Sequence, residues 1–431
     1  MKNRRTFLKM STYSAAMLLG CAGTGLDANL VVDIPDVKGD GEHDDTQGIQ
    51  ALLDSNATVF LPQPEKCYLI SKTLKIHSGQ TLIVDRNAVI RLKDGAGAHL
   101  LTNSDHTGGN SRITVIGGIW DGNNLTQMTA YHEDRNNKDL PYDPDRYLGV
   151  LMLFDNVKDL YISDVTFKDP RTFAFLAGRL NQFTIEKITF DFNLKSNNQD
   201  GIHIAGNCHH GRIADLKGAT NDDLVALNAD DAPIFEVSRG PITDIQVDGI
   251  WGENVYRAVR LLSCKSPVKR IKISNIYGTC RHEAVILSNH NVHSNGCPDS
   301  HFEDISISGI FSANARSNMM VPHIRIHSPA YVSHLSISDY HRTESESATD
   351  GILVERGARI DCLTLSDVSL FNQCSGNITL VTNRGKIGTL FLNNVFLQSD
   401  EPDLVQLLDN SGEVKLAGKT NISVNGRVGE E

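Results

Sequence analysis

Leu160-Tyr-Ile-Ser-Asp-Val165 alternates apolar and polar residues, places a turn-forming aspartate fifth, and returns to an apolar residue. The same hexad comes back as Phe183-Thr-Ile-Glu-Lys-Ile188, Ile245-Gln-Val-Asp-Gly-Ile250, Ile271-Lys-Ile-Ser-Asn-Ile276 and Ile305-Ser-Ile-Ser-Gly-Ile310. It continues as Leu335-Ser-Ile-Ser-Asp-Tyr340, Leu363-Thr-Leu-Ser-Asp-Val368 and Leu390-Phe-Leu-Asn-Asn-Val395. From Ile245 onward the copies follow at intervals of 26, 34, 30, 28 and 27 residues. Alternation turns every second side chain to one face of a strand, and Asp, Asn or Gly at a fixed offset marks a bend. A second alternating run lies between copies, as in Gly201-Ile-His-Ile204, Leu224-Val-Ala-Leu227, Ala258-Val-Arg-Leu-Leu262, Ala284-Val-Ile-Leu287 and His323-Ile-Arg-Ile326. Two or three short strands per repeat with almost no helical periodicity specify a solenoid of stacked coils. A β-sandwich would show shorter turn spacing and would not hold one motif at this interval. The expected fold is therefore all-β, a parallel β-helix forming one domain over residues 29–431. Residues 125–147 break the repeat with Asp, Asn and Pro and read as a long loop flanking a cleft.

The opening Gly39-Asp-Gly-Glu-His-Asp-Asp-Thr46, followed by Gly48-Ile-Gln-Ala-Leu-Leu53, resembles the start of pectate-lyase-superfamily β-helices. That resemblance implies a right-handed parallel β-helix whose first coil is closed by a short N-terminal capping helix. An open solenoid end exposes apolar core and unpaired strand edges, so a cap is physically required. Asp44, Asp45 and Thr46 are expected to cap the helix N-terminus.

Residues 1–20 read as a targeting segment. Arg4-Arg5-Thr6-Phe7-Leu8-Lys9 resembles the twin-arginine export motif, and Leu18-Leu19-Gly20-Cys21 resembles a lipoprotein cleavage box with Cys21 as the lipidated residue. The expectation is an exported bacterial lipoprotein, periplasmic or on the cell surface, tethered through residues 21–28 and touching the membrane only through its lipid. Loss of residues 1–20 removes four positive charges and takes the formal charge from −11 to −15, which argues against a nucleic-acid partner. The other seven cysteines have no metal-type spacing and are odd in number, so neither a zinc site nor a full disulfide framework is expected, although one or two bridges can form. A monomer is expected of a capped solenoid.

Asn198-Gln-Asp-Gly-Ile-His-Ile204 and Asn221-Asp-Asp-Leu-Val-Ala-Leu-Asn228 lie about one coil apart, and each ends a polar turn in aspartate before a strand. Stacked on adjacent coils, strands sit roughly 4.8 Å apart, so Asp200, Asp222 and Asp223 converge. The two segments are similar to the Asn-Thr-Asp-Gly and Gly-Asp-Asp motifs of the polygalacturonase family, glycoside hydrolase family 28. That resemblance implies a metal- and cofactor-free inverting hydrolysis of a carbohydrate, with Asp222 as general acid and Asp200 and Asp223 activating water. Three crowded carboxylates cannot all ionise freely, which fits a raised pKa for the acid. The family's Gly-His-Gly motif is replaced by Glu253-Asn-Val-Tyr-Arg257, and its Arg-Ile-Lys coil reads Arg281-His-Glu-Ala-Val-Ile-Leu-Ser-Asn289. A uronate-containing glycan and a neutral glycan both stay open as substrates. His203, Tyr256, Arg257, Arg260, Arg281, His282 and Arg325 are candidates to bind substrate, with neutralisation of the aspartates the alternative for the basic ones. Asp230 and Asp231 read as turn residues. Two rival functions use the same features: a polysaccharide lyase with calcium held by acidic clusters, and a non-catalytic glycan-binding lipoprotein.

Overall fold

The computed structural model describes residues 36–128, 143, 145–231, 239–289, 300–316, 319–425 and 427–428. The targeting segment, the tether with Cys21 and most of the 125–147 loop lie outside these residues. The described chain is a parallel β-helix. A 16-stranded sheet and a 12-stranded sheet run along it, and every strand pair is parallel except a short C-terminal hairpin pairing Ser423 with Val428.

The recurring hexads form the larger sheet. In-register pairs run Ile273 to Ile307, Ile307 to Ile337, Ile337 to Leu365 and Leu365 to Leu392, so each inward aliphatic packs on its equivalents one coil away. These side chains are almost wholly excluded from solvent, and they form one continuous core with the inward residues of the other sheet. The fifth hexad position is left-handed in every copy: Asp164, Lys187, Gly249, Asn275, Gly309, Asp339, Asp367 and Asn394 all have φ between +50° and +78°. Asn, Asp and Gly tolerate that conformation best, which explains why the sequence repeats them there. Lys187 is the exception and adopts it without their advantage.

The single α-helix among the described residues, Thr46–Ser55, buries Ile49 and Leu53 against the first coil, as a cap must. Its capping chemistry differs from expectation. The Asp44 carboxylate accepts from the Thr46 N–H at 3.0 Å, but Asp45 makes no cap hydrogen bond. Asp45 is buried and accepts instead from the N–H groups of Lys38 (2.6 Å), Gly39 and Leu69, tying the entry loop to a strand. Cys264 is disulfide-bonded, whereas Cys67, Cys208, Cys280, Cys362 and Cys374 are free thiols.

The 12-stranded sheet carries the second alternating run. One register row crosses it as Leu176, His203, Ala226, Arg260, Ile286, Arg325 and Leu353. Flanking residues such as Ile202, Val225, Val259, Val285, Ile324 and Ile352 point into the core, so this row faces outward.

Candidate active site

Asp200, Asp223, Arg257 and Glu283 each stand two residues before the first inward aliphatic of their strand, namely Ile202, Val225, Val259 and Val285. Those aliphatics pair in register across consecutive coils, so the four residues form one column at the edge of the sheet. The turns that deliver the aspartates are fixed by their own polar residues. Gln199 donates to the Pro170 carbonyl at 2.8 Å, and Asn221 donates to the Ser196 carbonyl at 2.8 Å, locking each turn to its neighbour. Gly201 allows the close stacking, because a Cβ there would lie 2.5 Å from the Leu224 carbonyl oxygen and 2.8 Å from the Phe190 ring.

The convergence expected of the three aspartates is present: one oxygen from each lies within 4.8 Å of the others. Asp200 and Asp223 are buried, and Asp222 keeps partial access to solvent. Burial, then the neighbouring Asp223 and Asp200, push the Asp222 carboxyl up to about 8. Asp200 is also pushed well above the usual carboxylate range, first by burial and then by Asp223. Arg257 reaches Asp223 at 2.5 Å and lies 3.9 Å from Asp222, while Arg260 lies 3.6 Å from the other Asp223 oxygen. Both guanidiniums thus press on Asp223. Burial works against the Arg257 charge, but Asp223 and Glu283 hold it protonated.

Among the remaining candidates, His203 bonds Asp200 through Nδ1 at 2.8 Å and stacks on Phe173 at 4.5 Å, with Nε2 directed toward Asp231 at 3.9 Å. Burial holds its imidazole below the ordinary value, so it is neutral near pH 7. Tyr256 stacks on His282 at 4.9 Å, and the guanidinium of Arg281 lies 5.5 Å from the Tyr256 ring centre. Arg281 donates to the carbonyls of Asn254 and Thr220 and to Asn221 Oδ1, bracing the turn that carries Asp222. His282 Nδ1 is in a short hydrogen bond with Glu283 and also lies 3.2 Å from Arg257 Nη2. Arg325 lies one coil beyond Ile286 and bonds both Glu355 and Glu283.

Glu283, within the Arg281–Asn289 segment but not among the candidates from sequence, joins these parts. It is wholly buried, accepts from Arg257 Nε at 2.9 Å and Arg325 Nη1 at 3.2 Å, and meets His282. Burial raises its pKa, but the His282 hydrogen bond and Arg257 outweigh that and hold it at about 2. The signal was its offset before Val285, which matches Asp223 before Val225. Asp231, read as a turn residue, accepts from Asn228 at 2.8 Å and faces His203, so it borders the site. Asp230 does act as a turn residue, accepting from the Gly240 and Ser266 N–H groups, each at 2.8 Å.

The three aspartates are also the set that a divalent cation would use. Two guanidiniums already supply positive charge at Asp223, so a cation would have to compete with them there. The arrangement suits proton transfer better than cation binding. A protonated carboxyl with solvent access stands beside a carboxylate held between two arginines, with a third carboxyl close enough to share a water.

The sequence pattern of Glycosyl hydrolases family 28 matches residues 57–240, which include all three aspartates. A polygalacturonase of Gossypium barbadense is 30% identical over 169 residues, 38% of this chain and 39% of that protein. The chain thus spans about two fifths of the length of the curated relatives it matches. Among solved structures, the family 28 exopolygalacturonase of Yersinia enterocolitica superposes with a TM-score of 0.56 at 15% identity, covering 91% of this chain and 77% of that one. PfbA, a surface adhesin of Streptococcus pneumoniae, superposes with a TM-score of 0.60 at 16% identity over 88% and 92% of the two chains. At those identities the structures share the fold and nothing more is inferred from them. The chain is a parallel β-helix resembling glycosyl hydrolases family 28, with a family match over residues 57–240 that takes in the aspartate cluster.

Proposed function

We propose that the protein is a glycoside hydrolase acting on a pectin-type polysaccharide or oligosaccharide, without a metal. The observation that carries this reading is the placement of Asp222, partly exposed and pushed up to about 8, against the buried Asp200 and Asp223. Asp222 donates its proton to the departing glycosidic oxygen. A water bridging Asp200 and Asp223 at ordinary hydrogen-bond lengths attacks the anomeric carbon and gives its proton to that pair. Arg257 and Arg260 balance the charge of Asp223 before the proton arrives. Proton exchange with solvent then restores the acid.

Inversion is the expected stereochemistry. The nearest oxygens lie within 4.8 Å, closer than the roughly 6.5–9.5 Å common for inverting pairs, so the anomer formed is the informative readout. The test is incubation with a panel of plant and algal glycans, followed by mass spectrometry and proton NMR of the first product. A saturated product of inverted anomeric configuration supports the reading. A retained anomer would remove the direct-displacement step, and an unsaturated product would replace hydrolysis by elimination. The export and lipid-anchor features of residues 1–28 are proposed to place the enzyme outside the cytoplasm, which radiolabelled-lipid incorporation at Cys21 would test.

A further inference from the structure

Arg257, Arg260 and Arg325, beside the aspartates, are committed to the protein's own carboxylates. From Asp223 a chain of opposite charges runs to Arg257 (2.5 Å), to Glu283 (2.9 Å), to Arg325 (3.2 Å) and on to Glu355 (2.7 Å). Arg260 also faces Asp223 at 3.6 Å, and Asp231 contributes to holding it charged. Arg281 has neutral partners, but its Nε and Nη2 are spent on two backbone carbonyls and Asn221 in the turn it braces. Among the described residues, six carboxyl groups stand around these four guanidiniums: Asp200, Asp222, Asp223, Asp231, Glu283 and Glu355.

Resting on the hydrolase reading above, we propose that the sugar at the cleaved bond is uncharged: a neutral sugar, or a uronic acid carried as its ester. A free uronate would bring a seventh carboxyl group into this cluster, an ionised one, where the guanidiniums of Arg257, Arg260 and Arg325 already face Asp223, Glu283 and Glu355. To be paired, it would have to pull an arginine from a buried protein carboxylate, leaving that group without its partner. A hydroxymethyl or ester group at the same carbon needs only hydrogen bonds and leaves those ion pairs intact. The acidity of the whole chain, −11 over its full length, adds long-range repulsion of a polyanion.

The experiment compares kcat/KM on polygalacturonate, on the same polymer fully methyl-esterified, and on a panel of neutral plant and algal glycans, at low and high salt. The expected result is at least a tenfold advantage for the ester or for a neutral polymer over the free acid. Equal or faster cleavage of the free acid overturns this inference and leaves the hydrolase reading standing. Cleavage of nothing in the panel overturns that reading and this inference with it. The variant Glu355→Gln removes one carboxylate from Arg325 and is expected to narrow the gap severalfold in favour of the free acid. An unchanged ratio would overturn the claim that Arg325 is occupied.

Discussion

Replacing Asp222 by Asn tests the acid assignment most directly. A carboxyl of ordinary value 3.8 is protonated in roughly 1% of molecules at pH 6, whereas one at about 8 is protonated in roughly 99%. The environment therefore raises the fraction of competent acid about a hundredfold. The wild-type rate is expected to fall as pH rises through about 8, where Asp222 loses its proton. Asp222→Asn cannot supply that proton and is expected to lose about 10²–10⁴ in kcat/KM on the natural linkage, or about 3–5 kcal/mol of transition-state stabilisation. The deficit should shrink on substrates whose leaving group departs without protonation, such as nitrophenyl or fluoride glycosides. Reducing-end and chromophore-release assays from pH 4 to 9 read both effects. Stability should move the other way. A raised carboxyl makes the fold lose stability as pH climbs from about 4 to about 8, so the variant should gain on wild type across that window in denaturant unfolding. Activity within threefold of wild type, or an alkaline limb near pH 8 that survives in the variant, would refute the assignment.

Three further outcomes are expected. Glu283→Gln should destabilise the protein by about 3 kcal/mol at pH 7, from a carboxyl held at about 2 instead of 4.5, with the difference closing as pH falls from about 4.5 toward 2 in urea unfolding; a gap independent of pH would refute it. Gly201→Ala should cost about 2 kcal/mol, because its Cβ meets the Leu224 carbonyl on the next coil, and a melting temperature unchanged from wild type would contradict that contact. Lys187→Gly should stabilise by about 1 kcal/mol, since Lys187 is the one hexad bend with a left-handed backbone and no residue suited to it; calorimetry showing a loss would argue against the bend.

Much of the molecule was legible in the chain itself. The hexads announced both the larger sheet and its bends, because a side-chain period of two and a left-handed residue at a fixed offset are local properties. The aspartate pair was legible for the same reason: its spacing is one coil, and one coil is a distance the sequence measures. Asp45 departs from the capping role its position suggests, because a carboxylate beside a helix start can equally serve a neighbouring strand, and only the fold brings Leu69 and Lys38 to it.

The sequence by itself determined the solenoid, its repeat, and the three carboxylates brought to one edge. Tertiary structure alone decided what those carboxylates meet. Glu283, Arg257 and Arg325 come from separate coils, and which arginine pairs with which acid depends on side-chain reach and burial across strands. Charge pairing acts through space over a few ångströms and leaves no period in the chain, so only the assembled coils could assign it.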